Sequence, residues 1–356
     1  MSKLPGNAGV SVLGDKSLEF YRDPVHFCRQ RVENTGAECS KKSNLFLKDP
    51  TDLMTNMYGD TVITTNGEER LGTELVLGLF LNVRAEEQPE LFQEISQLCT
   101  LHWHGLISAP VSLKVPLWSS GYSTALDARD KLMDIIKDKL ENDKQGFVGS
   151  LGSLPLPDSS SASQHLLLFI SALIPKALAS LLTSFTLALS GDQQQTRRQL
   201  LEDPDYLRLV LLEVQRLWPP FIGGRRIADK DSTLAGFHVP KDYGAIYISH
   251  SVHRDPEVFQ QPDDFLPERW SGRNAGQEHF LCSFGNGPRN CIGTKLTDVF
   301  LKEACMYLLN HYDWCLDPPS QDLEYKWLPV SRPANTPTVS FTQLDQTPSD
   351  RSNDTS

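Results

Sequence analysis

The apolar stretch from Leu166 to Leu189 constrains the fold of this chain more than any other segment. It reads LLLFISALIPKALASLLTSFTLAL, and its only charged residue is Lys176, next to Pro175. A stretch of this length can cross a bilayer, but a helix that is apolar on all sides can equally be the buried core helix of a globular protein. Pro175 removes a helical hydrogen bond and predicts a kink. Hydropathy alone leaves both interpretations open.

The composition is that of a globular protein and narrows the function classes. The chain has 356 residues, 39% of them hydrophobic, and a formal net charge of −11. It can therefore bury a large core, and it has no basic footprint for nucleic acid. Its seven cysteines include no Cys-x-x-Cys pair, which argues against a disulfide framework or a zinc ribbon and favours a reducing compartment. The N-terminal residues contain no apolar run, so we expect no N-terminal anchor and an intracellular location, cytoplasmic or peripheral on a membrane.

Helical periodicity dominates the rest of the chain. It predicts helices over Leu71–Asn82, Leu91–His104, Leu126–Leu140, Tyr206–Trp218 and Thr294–Asn310. Paired strands are predicted within residues 232–251 and around a Lys-Asp-Pro turn at 48–50, in an N-terminal part of about 1–65 that contains β-structure. By composition, residues 142–163 are a flexible connection and residues 343–356 a disordered tail.

Glu213 and Arg216 form a charged pair in a helix whose other positions are almost all apolar. Such an i,i+3 pair on a surface contributes only ~0.2–0.5 kcal/mol. In a buried helix, however, unpaired charges cost several kcal/mol, so the pair predicts a buried network with a further partner. Arg269 is a candidate, although its segment, HRDPEVFQQPDDFLPERW, has the composition of a Pro-rich surface loop. The doublet Arg225–Arg226 has the simpler interpretation of solvated charge at a strand edge.

A single cysteine lies in a loop of turn residues, FGNGPRNCIG, from Phe284 to Gly293. The glycines allow tight turns, and the helix predicted directly after Cys291 offers N–H groups that stabilise a thiolate. Free cysteines are often inert buried thiols. Cys291 is therefore either such a thiol or a metal ligand or nucleophile held on a rigid loop. His253 and His279 are candidate partners, but no spacing ties them to the cysteine.

This loop matches the haem-binding signature F-x-x-G-x-R-x-C-x-G, and the chain resembles the cytochrome P450 superfamily. The matching residues are Phe284, Gly287, Arg289, Cys291 and Gly293. The Glu-x-x-Arg helix, the HRDPEVF loop and Arg269 follow in the family's order and spacing. The resemblance covers about residues 4–342. It implies a mainly α fold with small β-sheets, a single haem-thiolate domain over 1–342, and a core helix rather than a membrane span for the apolar stretch.

The resemblance also implies a role for each residue of a haem b (iron protoporphyrin IX) site. Cys291 would be the thiolate ligand of the iron, and Phe284 would shield its sulfur. Arg289 and Arg226 would bind the haem propionates. The implied cofactor-binding set is Cys291, Phe284, Gly285, Arg289, Gly293 and Arg226. The implied structural network is Glu213, Arg216 and Arg269. The implied substrate-facing residues are Phe169, Ala172, Lys176, Phe221, Ile222 and Val330.

The chain departs from the family at two places. The family's central helix usually carries an acidic residue and then a threonine, which deliver protons to bound dioxygen, but the matching place here reads Pro175–Lys176. Members without that pair often rearrange peroxides instead of inserting oxygen. TTNGEER, ending at Arg70, resembles the start of one family helix, and LGTELVLGLFLN, which follows directly, resembles a much later one. The fold is therefore expected to be incomplete after about residue 70.

These features predict a haem-thiolate oxidoreductase of the monooxygenase type that acts on a small apolar substrate such as a lipid or steroid. An electron-donor reductase is the expected partner of full-length relatives, and peripheral membrane contact is a further expectation. The alternatives are a peroxide isomerase or lyase on the same fold, an inactive haem-poor shortened variant, and a non-enzymatic protein with a single membrane span.

Overall fold

The structure is a computed structural model that describes residues 45–47, 66–106, 108, 112, 114–115, 118–154, 159–171, 173–190, 194–272 and 277–344. These residues group into two compact units. The first contains the described residues up to Ala179 together with Arg225–Tyr247, and the second contains Ser180–Gly224 and the residues from Ile248 onward. The predicted single haem-thiolate domain stays a prediction.

The first unit is built on helices. They are α1 (Asn66–Leu81), α2 (Pro89–Leu106), α3 (Gly121–Asn142), α4 (Gly146–Gly152), α5 (Ser159–Ile170) and the start of α6 (Leu173–Ala188). The side chain of Ser120 caps α3 by accepting the N–H of Ser123 at 3.2 Å. Leu132 and Ile136 line the buried face of α3, where the apolar spacing of the predicted helix had put them.

The strands of the first unit are short. A three-stranded sheet has the order β1 (Leu45–Leu47), β7 (Gly244–Ile248) and β4 (Gly223–Ile227). Most residues of β4 and β7 belong to the first unit, but Gly223, Gly224 and Ile248 belong to the second. Two further pairs are β2 (Lys114–Val115) with β3 (Trp118–Ser119), and β5 (Ser232–Leu234) with β6 (Phe237–Val239). Leu45 of β1 pairs antiparallel with Ile246 of β7, whereas the predicted second strand after the Lys-Asp-Pro turn lies outside the described residues.

The second unit carries the remaining elements. They are the rest of α6, α7 (Gln194–Glu202), α8 (Pro204–Leu217), α9 (Ser249–Val252), α10 (Thr294–His311), β8 (Tyr312–Leu316), β9 (Tyr325–Lys326), β10 (Arg332–Pro333) and β11 (Val339–Gln343). Asp203 caps α8 by accepting the N–H of Asp205 at 3.0 Å, and Pro204 occupies its first turn. Among the described residues, short 3₁₀ turns at Pro267–Trp270, Gln277–Phe280 and Gly287–Arg289 connect these elements.

The apolar stretch forms two helices that are interrupted at Ser171, four residues before Pro175. Pro175 lacks the N–H that a continuous helix would donate to the carbonyl of Ser171, so the interruption lies where the predicted kink removes a hydrogen bond. The helix α5 ends at Ile170 and α6 begins at Leu173, which puts Pro175 in the first turn of α6, where a missing N–H costs little. Within the described residues, Ser160–Ala188 is long and apolar enough to cross a membrane, but 69% of its apolar window is buried. That burial is typical of a core helix.

Two segments predicted to be irregular contain regular structure. The predicted flexible connection over residues 142–163 includes α4 and the start of α5, because Val148 of α4 is fully buried. The predicted tail begins too early, since Gln343 pairs with Tyr312 in the β8–β11 ladder and the N–H of Leu344 donates to the carbonyl of His311 at 2.8 Å. Residues 345–356 lie outside the described residues.

Candidate functional site

The loop before α10 presents the sulfur of Cys291 to solvent. The N–H of Cys291 donates to the carbonyl of Phe284 at 2.8 Å, which closes the loop. Gly285 and Gly287 have φ values of 77° and 70°, a left-handed conformation that favours glycine. The N–H of Gly293 donates to Sγ of Cys291 at 3.3 Å. The sulfur is therefore exposed and accepts one backbone N–H.

The surroundings of the sulfur are open and partly apolar. Ile292, the next residue, is 87% exposed. The hydroxyl of Thr294 donates to the carbonyl of Cys291 at 2.9 Å and joins the loop to the first turn of α10. The thiol of Cys291 is therefore accessible, whereas Cys99 is a core cysteine. Burial raises the pKa of Cys99 to about 12.

Glu213 joins two guanidinium groups in a buried network. Its carboxylate accepts from Arg216 at 2.8 and 2.9 Å and from Nε of Arg269 at 2.9 Å. The indole N–H of Trp270 donates to the same carboxylate at 3.0 Å. Glu213 and Arg216 are fully buried, so the structure brings the three predicted residues together away from solvent. Trp270 was missed, although it directly follows Arg269 in the sequence.

The two arginines also bind the backbone of the Pro-rich segment. Arg216 and Arg269 donate their remaining N–H groups to carbonyls in this segment. The acceptors for Arg216 are His253 at 2.8 Å, Pro262 at 2.6 Å and Asp264 at 3.0 Å. The acceptors for Arg269 include Gln260 at 2.7 Å and Gln261 at 3.0 Å. This segment is therefore fixed to α8 by charge-assisted hydrogen bonds and is not a free surface loop.

His253 lies between this network and the cysteine loop. It is fully buried, with Nδ1 at 3.1 Å from the carbonyl of Arg216 and Nε2 at 2.8 Å from the N–H of Cys282. Burial, assisted by the positive charges of Arg216 and Arg254, lowers the pKa of His253 to about 3. The sequence had suggested His253 only as a candidate partner of Cys291, with no spacing that ties the two residues together. The structure places it against the backbone at the start of the loop instead.

The two arginines predicted to bind propionates are both exposed. Arg289 ends the 3₁₀ turn in the cysteine loop. Arg226 lies on β4 in the first unit, where its guanidinium is 5.5 Å from the ring of Tyr247 and donates to the carbonyl of Arg225 at 2.8 Å. Exposed guanidiniums are suited to charge-assisted bonds with an anion, and their joint role stays a prediction.

The predicted substrate-facing residues have different surroundings. In the first unit, Phe169 packs against Phe80 and Phe147, with ring centroids 5.0 and 6.3 Å apart. Lys176 is only 4% exposed, on the first turn of α6. Ala172 lies outside the described residues. Phe169 therefore contributes to an aromatic cluster, and its contact with substrate stays a prediction.

In the second unit, the remaining predicted positions are Phe221, Ile222 and Val330. Phe221 is half-buried, and the other two are buried. Ser331, which follows Val330, binds the backbone just before Phe221: its hydroxyl donates to the carbonyl of Pro219 at 2.7 Å, and its N–H donates to the carbonyl of Pro220 at 2.8 Å. Sequence reasoning missed this serine because a single serine carries no motif.

Comparison with known proteins identifies what the chain is similar to. The family described as Cytochrome P450 matches residues 157–340. Putative cytochrome P450 120 of Synechocystis sp. is 29% identical, with 74% of this chain and 64% of that protein covered. Mouse cytochrome P450 3A25 is 32% identical over 44% of this chain and 31% of its own length. The chain thus spans less than two thirds of these curated relatives.

Solved structures give the same result for the fold. The retinoic acid-bound cyanobacterial CYP120A1 superposes with a TM-score of 0.67 at 26% identity, covering 81% of this chain and 71% of that one. CalO2 superposes with a TM-score of 0.63 at 21% identity, covering 79% and 67%. The predicted family and the mainly α fold with small sheets are confirmed, while the position of the gap after residue 70 stays a prediction.

The donor chemistry of the cysteine loop fits haem b, the cofactor of this family. A haem iron takes four ligands from the porphyrin and needs one from the protein, which the accessible sulfur of Cys291 can supply. Within the part of the chain that the structure describes, no group of three or more His, Cys, Asp or Glu side chains is arranged to hold a bare metal ion.

Proposed function

Because the chain belongs to the cytochrome P450 family, we propose that it is a haem-thiolate oxidoreductase of the monooxygenase type. The observation that carries this proposal is the exposed sulfur of Cys291, which accepts the N–H of Gly293 at 3.3 Å. Haem b bound through a thiolate supplies oxygen activation, because the electron-rich sulfur favours O–O cleavage.

The residues of the loop would orient the sulfur as a ligand. The carbonyl of Phe284 holds the backbone of Cys291, and the N–H of Gly293 donates to the sulfur. Arg289, exposed on the same loop, would bind a propionate through charge-assisted hydrogen bonds.

The test is the carbon monoxide difference spectrum of the reduced, haem-reconstituted protein. We expect a thiolate-type band that is absent from Cys291→Ala, because a methyl group cannot ligate iron. Cys315→Ala is the matched control, since Cys315 is also an exposed free thiol of the second unit, and it should keep the band. A thiolate-type band that survives in Cys291→Ala would exclude this ligand.

The proposed substrate is a small apolar molecule such as a lipid or steroid. Buried Ile222 and Val330, which flank the backbone fixed by Ser331, support an apolar pocket. Because the cyanobacterial relative at 26% identity was solved with retinoic acid, retinoic acid is the first probe. We expect it to shift the haem absorption on titration, and the variant Val330→Asp to weaken this response by placing a charge in the apolar contact. No shift at saturating concentration would argue against this substrate.

A peroxide isomerase or lyase is the second candidate. Lys176, only 4% exposed, stands where the resemblance expects the proton-delivering pair, and neither it nor Pro175 is a carboxylic acid or hydroxyl. Turnover of a lipid hydroperoxide without reductase, together with no turnover with dioxygen and a reductase, would favour this candidate. The reverse result would favour the monooxygenase.

A haem-poor inactive variant is the third candidate, because the chain covers 64% of its cyanobacterial relative. The haem-to-protein ratio after reconstitution separates it from the other two. Members of this family take electrons from redox partners, and we propose the same for this chain. Its predicted location, cytoplasmic or peripheral on a membrane, stays a prediction.

A further inference from the structure

From the contacts around His253 we infer that this histidine is a positioning residue for the thiol of Cys291. It would hold the start of the cysteine loop against the buried Glu213 network through the backbone N–H of Cys282. The effect of His253 on haem ligation rests on the proposed function. The hydrogen bond from the N–H of Cys282 to His253, however, can be tested without haem.

The hydrogen bonds determine which nitrogen of His253 carries the proton. The backbone N–H of Cys282 can only donate, so Nε2, at 2.8 Å, must accept. Nδ1 then carries the proton and donates to the carbonyl of Arg216 at 3.1 Å. Arg216 in turn donates to the carbonyl of His253 at 2.8 Å. The neutral ring therefore joins the end of α8 to the loop, and the depressed pKa of His253 keeps it neutral at ordinary pH.

The turn at residues 282–285 and the 3₁₀ turn Gly287–Arg289 lie between this anchor and the sulfur. The carbonyl of Cys282 accepts the N–H of Gly285 at 2.9 Å, and the carbonyl of Phe284 accepts the N–H of Cys291 at 2.8 Å. Ser283 adds a second anchor, because its hydroxyl donates to the carbonyl of Gln215 on α8 at 3.0 Å. Residues 286–292 are all exposed. The hydrogen bonds at the base of the loop therefore contribute to the position of the sulfur.

Two variants of His253 separate its two hydrogen bonds. In His253→Gln the amide oxygen can occupy the place of Nε2 and accept from Cys282. In His253→Asn the shorter side chain reaches only the place of Nδ1, so the N–H of Cys282 loses its acceptor. Backbone hydrogen exchange over residues 282–291 of the full chain, measured without haem, reports this difference. We expect exchange at Cys282 to be about tenfold faster or more in His253→Asn and near wild type in His253→Gln.

Ser190→Ala is the control for loss of a buried hydrogen bond elsewhere in the second unit, because the Ser190 hydroxyl donates to the carbonyl of Thr186 at 2.6 Å. It should leave exchange in the loop unchanged. After addition of haem, we expect His253→Asn to lose part of the thiolate-type carbon monoxide band and His253→Gln to retain it. If His253 only filled space in the core, glutamine would not restore the band better than asparagine.

Equal hydrogen exchange at Cys282 in the wild type, His253→Asn and His253→Gln would overturn the inference. Equally accelerated exchange in the two variants would overturn it as well. If neither variant folds, nitrogen NMR of wild-type His253 decides: an unprotonated Nε2 coupled across the hydrogen bond to the amide nitrogen of Cys282 supports the inference, and a protonated Nε2 overturns it. A wild-type protein that protects Cys282 but takes up no haem would refute the proposed function and leave the structural connection standing.

Discussion

Glu213 is the carboxylate on which two buried guanidiniums depend. Replacing it with alanine leaves Arg216 and Arg269 without their anion inside the second unit, and we expect the free energy of unfolding to fall by ~3–5 kcal/mol. Glu278→Ala is the matched control, because Glu278 pairs with exposed Arg208 and should cost at most ~1 kcal/mol. Chemical denaturation of both variants gives the comparison. Similar losses in the two would mean that the Glu213 network contributes no more than a surface ion pair.

His253 should make the stability of the protein depend on pH. Its native pKa is about 3 against an ordinary value of 6.5, so between these values the unfolded chain binds a proton that the native ring does not. Stability from this group is therefore complete above pH ~6.5 and falls as the pH drops towards ~3, by up to ~1.4 kcal/mol per pH unit. Unfolding free energies of the wild type and His253→Gln across this range measure the effect. Parallel pH profiles would contradict it.

At the scale of single elements, local patterns predicted most of the helices. Helices α2, α3, α8 and α10 extend a few residues beyond their predicted bounds at one or both ends, because caps such as Ser120 and Asp203 add turns outside the apolar spacing. Pro175 predicted a kink in the apolar stretch, but the separation into two helices, α5 and α6, was not predicted. The thiol of Cys99 on α2 donates to the carbonyl of Ile170, where α5 ends, at 3.2 Å. That contact is tertiary and leaves no mark on the local sequence.

Gly105 sets how closely α2 and α3 approach in the first unit. A Cβ at this position would lie 1.8 Å from Cβ of Ala125 and 2.9 Å from the carbonyl oxygen of Gly121. Gly105→Ala must therefore separate the two helices, and we expect it to destabilise the protein by ~1–3 kcal/mol.

Gly78→Ala is the matched control in α1, because nothing lies within 4 Å of its added Cβ. It should be neutral or stabilising by up to ~1 kcal/mol, since alanine is the better helix former. Thermal unfolding of the two variants distinguishes the effect of space from that of helix propensity. Equal shifts in melting temperature would contradict the close approach.

At the scale of the whole molecule, the parts of the candidate site formed by one continuous segment could be predicted from the sequence, whereas the parts formed by distant segments could not. The loop around Cys291 was predictable because its turn residues and its signature lie in one short segment. The Glu213 network was anticipated only in part: burial of α8 required a partner for Glu213, but Trp270 and the link from His253 to Cys282 depend on how distant segments pack. Arg226 belongs to the other unit, and its predicted role depends on bound haem.

The last prediction concerns the sequence after Arg70, where the resemblance implies a missing segment. In the structure, α1 runs from Asn66 to Leu81 without a break at this position, so two parts that resemble separate family helices form one helix here. If the segment normally covers one side of the haem, its absence exposes the cofactor to water, weakens propionate contacts and removes apolar burial of the porphyrin.

We therefore expect this chain to hold haem more weakly, and to accept electrons from a reductase more slowly, than a version with a family-length segment inserted after Arg70. Peroxide-driven turnover should be less affected, because it needs no docked donor. Haem-to-protein ratios and donor-driven reduction rates, measured side by side, test both expectations. An insert of the same length made of glycine and serine is the control, since it breaks α1 equally but cannot cover the haem. Equal occupancy and equal reduction rates in all three proteins would mean that the segment is dispensable.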